Sequence, residues 1–308
     1  MKIGLVGLGK MGFGMAEHLN SSDFDLIATD KVKETVDRAK KAGIDAVYSI
    51  EALLDNLDER KIVFLMVPAG KPVDDCIKEI LKTAEKGDMI IDCGNSYYKD
   101  SIRRAEELKK KGILYLDVGT SGGIKISEGK ACMMVGGVKG IFELLEPVFK
   151  SLCVENGYNY IGKSGAGHLV KGYHNFVEYV TMEGIAEGAE AIKSVSEKED
   201  MNVKLRDVFD VWNHGSINEG MLVESAKKAL EKYNNLEDID GRVYGETTEE
   251  MAKLADLAES LNIEVPAGRV AIKRRKESQT KESYATKLIN AMRNVFGGHK
   301  PGKKADDN

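Results

Sequence analysis

The first twelve residues leave this chain little freedom of fold. An apolar run, Ile3 to Leu8, passes through Gly7-Leu8-Gly9-Lys10-Met11-Gly12 into a helix-forming segment that extends to Asn20. A strand turning through glycines into a helix is the context that gives G-x-G-x-x-G a physical meaning. Gly7 permits the tight turn, Gly9 lets backbone approach a pyrophosphate, and Gly12 lets helix and strand pack closely. The helix then aims its unpaired N–H groups and positive dipole end at the phosphates. The expected ligand is a dinucleotide held by Gly7, Leu8, Gly9, Lys10, Met11 and Gly12. A purely structural glycine turn is the plainer alternative, and the motif's position at the head of a βα series weighs against it.

Asp30 closes the second apolar run, 23 positions after Gly7, near the roughly 20-residue offset at which an acid meets the adenosine ribose. A carboxylate there accepts from a 2′-hydroxyl and repels a 2′-phosphate, which predicts NAD rather than NADP. Its alternative role is to cap the segment that starts at Val32. Val67, at the end of a third apolar run, is a further expected cofactor contact.

Apolar runs at 3–8, 25–30, 62–67, 89–93 and 114–118 alternate with helical spacing at 10–20, 32–42, 72–85 and 100–111. Continuous apolar strands separated by helices predict a parallel sheet covered on both faces. A further strand pair is expected at 131–135 and 159–161, with a helix from about 140 to 150 between them. After Gly162 the texture becomes wholly helical: a long segment from His168 to Lys193, then others near 201–211, 218–233, 248–261 and 283–293. The predicted class is α/β, a Rossmann-type doubly wound sheet (1–163) followed by an all-helical substrate and oligomerisation domain (164–308). At 308 residues, two cores are the natural expectation. The tail, residues 300–308, reads as disordered.

Charge and composition exclude several classes. Forty-five basic against fifty acidic residues give a net charge of −5, which offers no general attraction to nucleic acid. Charged residues interrupt every apolar stretch before it reaches the roughly 20 residues needed to cross a bilayer. The start shows no export signal, and a cytoplasmic protein is expected. Cys76, Cys93, Cys132 and Cys153 form no C-x-x-C pair, and the five histidines show no ligand spacing. Free thiols and no metal are the expectation.

The segment that concentrates chemistry is 165–179. Lys171, His174, Asn175 and Glu178 stand at i, i+3, i+4 and i+7, which at about 100° per residue places them on one helical face. Apolar residues fill the other faces. A solvated stripe of weak ion pairs is the commoner fate of such residues. Two turns at the ends of predicted strands, Asp92-Cys93-Gly94-Asn95-Ser96 and Asp117-Val118-Gly119-Thr120-Ser121-Gly122-Gly123, add small polar groups where ligands bind in parallel sheets.

Together these residues resemble a known family. The opening glycine motif, Ser121-Gly122-Gly123 and the Met-Val-Gly-Gly of 134–137 are similar to the 3-hydroxyacid dehydrogenase superfamily. Lys-x-x-His-Asn-x-x-Glu-Tyr at 171–179 and Arg-x-x-Phe-Gly-x-His at 293–299 resemble the decarboxylating 6-phosphogluconate dehydrogenases, in particular their short, NAD-preferring branch. The resemblance implies that Lys171 is the general base, which must start neutral, and Glu178 the general acid. It assigns Asn95, Ser121, Gly122, Gly123, His174 and Asn175 to a sugar acid's hydroxyls and carboxylate. Tyr179, Arg275, Arg293 and His299 complete the pocket, with Arg275 as a phosphate ligand, and Asn95 also touches the cofactor. It further implies a homodimer or homotetramer whose carboxyl-terminal segment reaches a neighbouring site. The family's basic-Trp-Thr turn has no counterpart in 240–248, where Arg242 is the candidate substitute. A 3-hydroxyisobutyrate-type dehydrogenase without decarboxylation, or a non-catalytic NAD-binding protein, is the alternative.

Overall fold

A computed structural model describes residues 1–243 and 245–299, so the tail at 300–308 lies outside the described residues. The chain divides into two compact units, Met1–Gly172 and Tyr173–Asn308.

The first unit is one eight-stranded sheet with helices. In chain order it contains β1 (Lys2–Val6), α1 (Lys10–Asn20), β2 (Asp25–Thr29), α2 (Lys33–Lys41), β3 (Ala46–Val47), α3 (Ile50–Asp55), β4 (Ile62–Leu65) and α4 (Lys71–Ile80). There follow β5 (Met89–Asp92), α5 (Tyr98–Lys110), β6 (Leu114–Ser121), a 3₁₀ turn (Gly123–Glu128), β7 (Ala131–Gly137), α6 (Lys139–Leu152) and β8 (Cys153–Gly162). The strand order is β3-β2-β1-β4-β5-β6-β7-β8, with the chain reversing its direction of growth at β1. That reversal is the topological switch point at which doubly wound sheets bind ligands. Ile3, Leu5, Phe64, Ile91, Leu116 and Val118 fill one core and Val6, Ile27, Val63, Leu65 and Ile90 another, which explains why the strands read as continuous apolar runs.

The strands expected to be parallel are so, and the further strand pair joins them with one reversal. β6 and β7 are antiparallel, with Val118 opposite Val135, whereas β7 and β8 are again parallel. The 3₁₀ turn joining β6 to β7 is too short for the helical crossover that a parallel pair requires. β3, with two residues, is too short to show any periodicity in sequence, and α3, with six, spans less than two turns.

The second unit is helical. α7 (Ala166–Lys198) begins in the first unit and runs unbroken for 33 residues. It is followed by α8 (Leu205–Trp212), α9 (Met221–Lys232), a short 3₁₀ turn, α10 (Glu246–Ser260), α11 (Pro266–Glu277) and α12 (Tyr284–Gly297). A reciprocal capping box between Ser283 and Thr286 starts α12. The helix α11 was not anticipated. Its composition reads as a basic run, but Pro266 opens it and Arg274, Arg275 and Lys276 complement its carboxyl-terminal dipole.

A buried ion pair underlies the carboxyl end of β5. Asp92 accepts from Gly94 N–H (3.1 Å), Ser96 hydroxyl (2.7 Å), Tyr115 hydroxyl (3.0 Å) and Arg104 Nη1 (3.4 Å). Arg104 also donates from Nε to Asp74 at 2.8 Å and from Nη2 to the Gly70 carbonyl at 3.0 Å. Removing one partner of such a pair leaves the other charge uncompensated. Arg104→Ala is expected to cost about 3–5 kcal/mol, read as a lower urea midpoint with unchanged m-value.

Candidate active site

Within the first unit the predicted residues gather at the carboxyl ends of β1, β4, β5 and β6. Gly7 has φ +102, and a Cβ there would lie 2.3 Å from the Met66 carbonyl oxygen and 2.8 Å from Val67 Cγ1. A Cβ on Gly12 would lie 2.0 Å from the Gly7 carbonyl oxygen, so the close strand–helix approach is real. Gly9 is different: a Cβ there would meet no protein atom within 4 Å. No side chain of Gly9 caps α1, so the amino-terminal end of the helix, at Lys10 and Met11, stands where an anion binds in such turns. These features fit a pyrophosphate.

Asp30 does two jobs. Its Oδ2 accepts from Leu8 N–H at 2.7 Å and fixes the glycine turn, while its Oδ1 accepts from Val32 N–H at 2.9 Å at the start of α2. Both the capping role and a position beside the nucleotide turn are therefore present, and each oxygen keeps a lone pair for a ribose hydroxyl. Arg38 was missed from sequence. Its guanidinium lies 4.2 Å from the Phe13 ring centroid and donates to the Leu8 carbonyl at 3.2 Å, bracing the turn from the other side.

Val67 links this turn to the next, since a Cβ on Gly94 would lie 2.8 Å from the Val67 carbonyl oxygen. Asn95 is exposed between buried Gly94 and Ser96, both held by Asp92. At the end of β6, Ser121 leads into Gly122 (φ +108) and Gly123 (φ +57), left-handed positions that favour glycine.

The start of α7 is seated on β6. Asp117, fully buried, accepts from Gly165 N–H (2.7 Å) and His168 N–H (3.0 Å), and burial raises its carboxyl above the usual range. A carboxylate in the first turn complements the helix dipole. A Cβ on Gly119 would lie 2.4 Å from Lys171 Cβ and 2.7 Å from the Gly167 carbonyl oxygen; one on Gly167 would lie 2.2 Å from the Asp117 carbonyl oxygen. Lys171 is buried by this contact. Asp117 and His168, whose Nδ1 meets Ser101 Oγ at 2.6 Å, were not recognised as supports because they are far apart in sequence.

On the second unit's part of α7, Glu178 Oε2 lies 3.8 Å from His174 Nδ1, and His174 Nδ1 lies 3.3 Å from Asn175 Oδ1. Tyr179 is buried beneath Arg275, whose guanidinium is 3.7 Å from the ring centroid. Arg275 itself is fully buried and donates from Nη1 to the Val243 carbonyl at 3.3 Å, but its Nε and Nη2 have no hydrogen-bond partner among the described residues. Arg293 Nε is likewise buried and unpartnered there, and so is the Thr248 hydroxyl. Burial brings Arg275 down to about 10, Tyr179 and nearby carboxylates oppose the change, and the charge of Arg293 adds to it. Two guanidinium groups of like charge thus leave buried donors that an anion would satisfy. Arg242, the candidate substitute cation, is engaged by Asp240, which its Nη2 meets at 2.6 Å. His299 follows the end of α12, its carbonyl accepting from Asn294 Nδ2 at 2.7 Å.

Residues 2–162 match the family described as the NAD binding domain of 6-phosphogluconate dehydrogenase, and residues 167–239 and 186–307 match its carboxyl-terminal domain. The chain belongs to the 6-phosphogluconate dehydrogenase family. It is 33% identical to the NAD(+)-dependent, decarboxylating 6-phosphogluconate dehydrogenase of Haloferax volcanii, over 99% of this chain and all of that one. A spinach (Spinacia oleracea) family member is 37% identical over 70% of this chain, which corresponds to 47% of its own length. Among solved structures, 6-phosphogluconate dehydrogenase of Plasmodium falciparum superposes with TM-score 0.76 at 27% identity, covering 95% of this chain and 70% of that one. A 3-hydroxyisobutyrate dehydrogenase of Salmonella typhimurium gives TM-score 0.76 at 19% identity, covering 94% and 99% respectively, and shows the shared fold. The protein is thus an oxidoreductase of the hydroxyacid dehydrogenase type. Among the described residues no helix is long and apolar enough to cross a membrane.

Gly119→Ala is expected to push α7 off β6. A destabilisation of about 1–3 kcal/mol should accompany a fall in kcat larger than any change in the KM for NAD. Steady-state kinetics and thermal melting check both.

Proposed function

We propose that the protein catalyses oxidative decarboxylation of 6-phosphogluconate to ribulose 5-phosphate and carbon dioxide, with reduction of NAD. The observation that carries this reading is the fully buried Arg275, whose Nε and Nη2, together with Arg293 Nε, are buried without a hydrogen-bond partner among the described residues. An unphosphorylated hydroxyacid would leave that cationic pocket unsatisfied. A phosphate dianion pairs with planar guanidinium forks bidentately. Tyr179, His299 and the Thr248 hydroxyl complete the phosphate end in this reading.

NAD is the cofactor, and when bound it accepts the hydride from C3 of the substrate. The glycine turn at 7–12 would hold its pyrophosphate, Asp30 its adenosine ribose, and Val67 and Asn95 flank its path along the strand ends. The adenosine ribose is where the NAD preference arises, because Asp30 repels a 2′-phosphate.

Lys171 takes the C3 hydroxyl proton as the hydride leaves. The product is a 3-keto acid, and a carbonyl β to a carboxylate is itself an electron sink for loss of carbon dioxide. Protonated Lys171 then stabilises the oxygen on which negative charge develops. Glu178 protonates C1 of the resulting enediol. The two side chains sit on one face of one helix, about 10 Å apart along its axis at 1.5 Å per residue, so acid and base address different carbons of a six-carbon chain. Ser121, Gly122, Gly123, Asn95, His174 and Asn175 bind the intervening hydroxyls and the carboxylate. The same reading places the chain in a homodimer or homotetramer, with the carboxyl-terminal segment serving a neighbouring site, which sizing by light scattering tests.

Incubation with 6-phosphogluconate and NAD should yield reduced nicotinamide and carbon dioxide in equal amounts, with little reduction of NADP. Oxidation of 3-hydroxyisobutyrate instead, without carbon dioxide, would overturn the substrate assignment. Lys171→Met is expected to lower kcat by at least about 10³-fold, within the usual range for loss of general-base catalysis, while NAD affinity measured by fluorescence titration stays within about twofold. Asp30→Ser should narrow the NAD over NADP ratio in kcat/KM by about tenfold, as for loss of roughly 1.4 kcal/mol of discrimination.

A further inference from the structure

One buried ionisable group in the helical unit has no part in the chemistry above. Glu183 lies one turn beyond Tyr179 on α7, with its side chain only 5% exposed. Neither of its carboxylate oxygens has a hydrogen-bond partner among the described residues. Arg274 Nε stands 3.7 Å from Oε1, too far for a hydrogen bond. A carboxylate desolvated in this way is costly while ionised unless cations balance it. The facing groups are Arg274 and Arg275 from α11, and Glu187 and Glu190 along its own helix. From α12, Tyr284 N–H donates to Glu190 at 3.1 Å, and Arg293 acts on Arg275. Burial raises the Glu183 carboxyl, Arg275 and Arg274 oppose the change, and Glu187 and Glu190 reinforce it.

Arg275 stacks on Tyr179, one turn from Glu183, and its neighbour Arg274 pairs with that carboxylate, so the group that presents unpartnered donors to an outside anion has a carboxylate of the chain itself close by. Both cannot be served fully. We propose that Glu183 is a built-in competitor of the substrate's phosphate: its carboxylate balances Arg274 and Arg275 in the free protein and takes up a proton when a phosphate dianion binds Arg275. This inference rests on the phosphate reading of Arg275 and Arg293. Its consequence is a specificity and release device. A permanently uncompensated arginine pair would hold every phosphorylated sugar, product included, whereas an internal counter-ion lowers that grip.

The sign of the pH dependence follows. The free-protein Glu183 carboxyl titrates above its usual 4.5, and protonated Glu183 favours the phosphate complex. Affinity contributed by Glu183 is therefore complete at low pH and is lost as pH rises through its titration. The phosphate's own second ionisation, near pKa 6, works in the opposite sense, so the informative quantity is the comparison with Glu183→Gln.

The test is calorimetric titration of 6-phosphogluconate into the full chain, wild type and Glu183→Gln, from pH 5.5 to 8.5 in buffers of different protonation enthalpy, with gluconate as the unphosphorylated control. Glu183→Gln is expected to bind 6-phosphogluconate about tenfold more tightly at pH 8, the equivalent of one pKa unit, and to converge with wild type at the acidic end. Wild type should take up a proton fraction on binding that the variant lacks. Equal pH slopes and equal proton counts in the two chains would overturn the competitor role. Weaker binding by Glu183→Gln would also overturn it, because Glu183 would then be orienting the arginines. Should the variant fail to fold, a wild-type proton balance fully accounted for by proton release from the phosphate's own second ionisation has the same meaning. If wild type binds 6-phosphogluconate no better than gluconate, the phosphate reading falls and this inference with it; binding without linked protons removes this inference alone.

Discussion

The seating of α7 on β6 is the constraint on which the proposed chemistry depends. Asp117 caps the helix with two hydrogen bonds, and glycines at 119, 136 and 167 remove the side chains that would hold helix and sheet apart. A base works only if it is held in place, because proton transfer demands hydrogen-bond contact at the reacting atom. As the proposed base, Lys171 gains that fixity from backbone packing rather than from a flexible loop. The cost is a buried carboxylate, which two N–H groups and the helix dipole compensate.

Similar support recurs at the other strand ends. Asp92 and Arg104 stand under the Asn95 turn, and Asp30 and Arg38 brace the glycine turn from opposite sides. Each device uses an ionised side chain to hold backbone N–H or carbonyl groups in place, so that exposed groups nearby are pre-aimed. Within the helical unit the logic is reversed. There Arg275 is packed on Tyr179 and left with donors unpartnered among the described residues, which the proposed substrate phosphate would satisfy.

Much of the architecture was legible because it depends on local pattern. Lys10–Asn20 matches its expected bounds, and α2, α5, α9 and α12 lie within a few residues of theirs, since amphipathic spacing and glycine or capping signals are encoded within each segment. Three features were not legible. β3 is too short to have a period, α11 was hidden by its run of basic residues, and the antiparallel β6–β7 pair depends on a short connection whose direction strand composition does not record.

Sequence by itself determined the strand–turn–helix start, the acid at the end of β2, and the placement of Lys171, His174, Asn175 and Glu178 on one helical face. Each of these follows from spacing along a single element, where helical geometry converts residue number into direction. Only the tertiary structure decided that Asp117 and Gly119 hold Lys171, that Arg38 braces the nucleotide turn, that Asp240 engages Arg242, and that Glu183 lies buried beside Arg274 and Arg275. Those are contacts across tens of residues, and they arise from how close two backbones can come and which buried charges then need a partner. No local period carries that information.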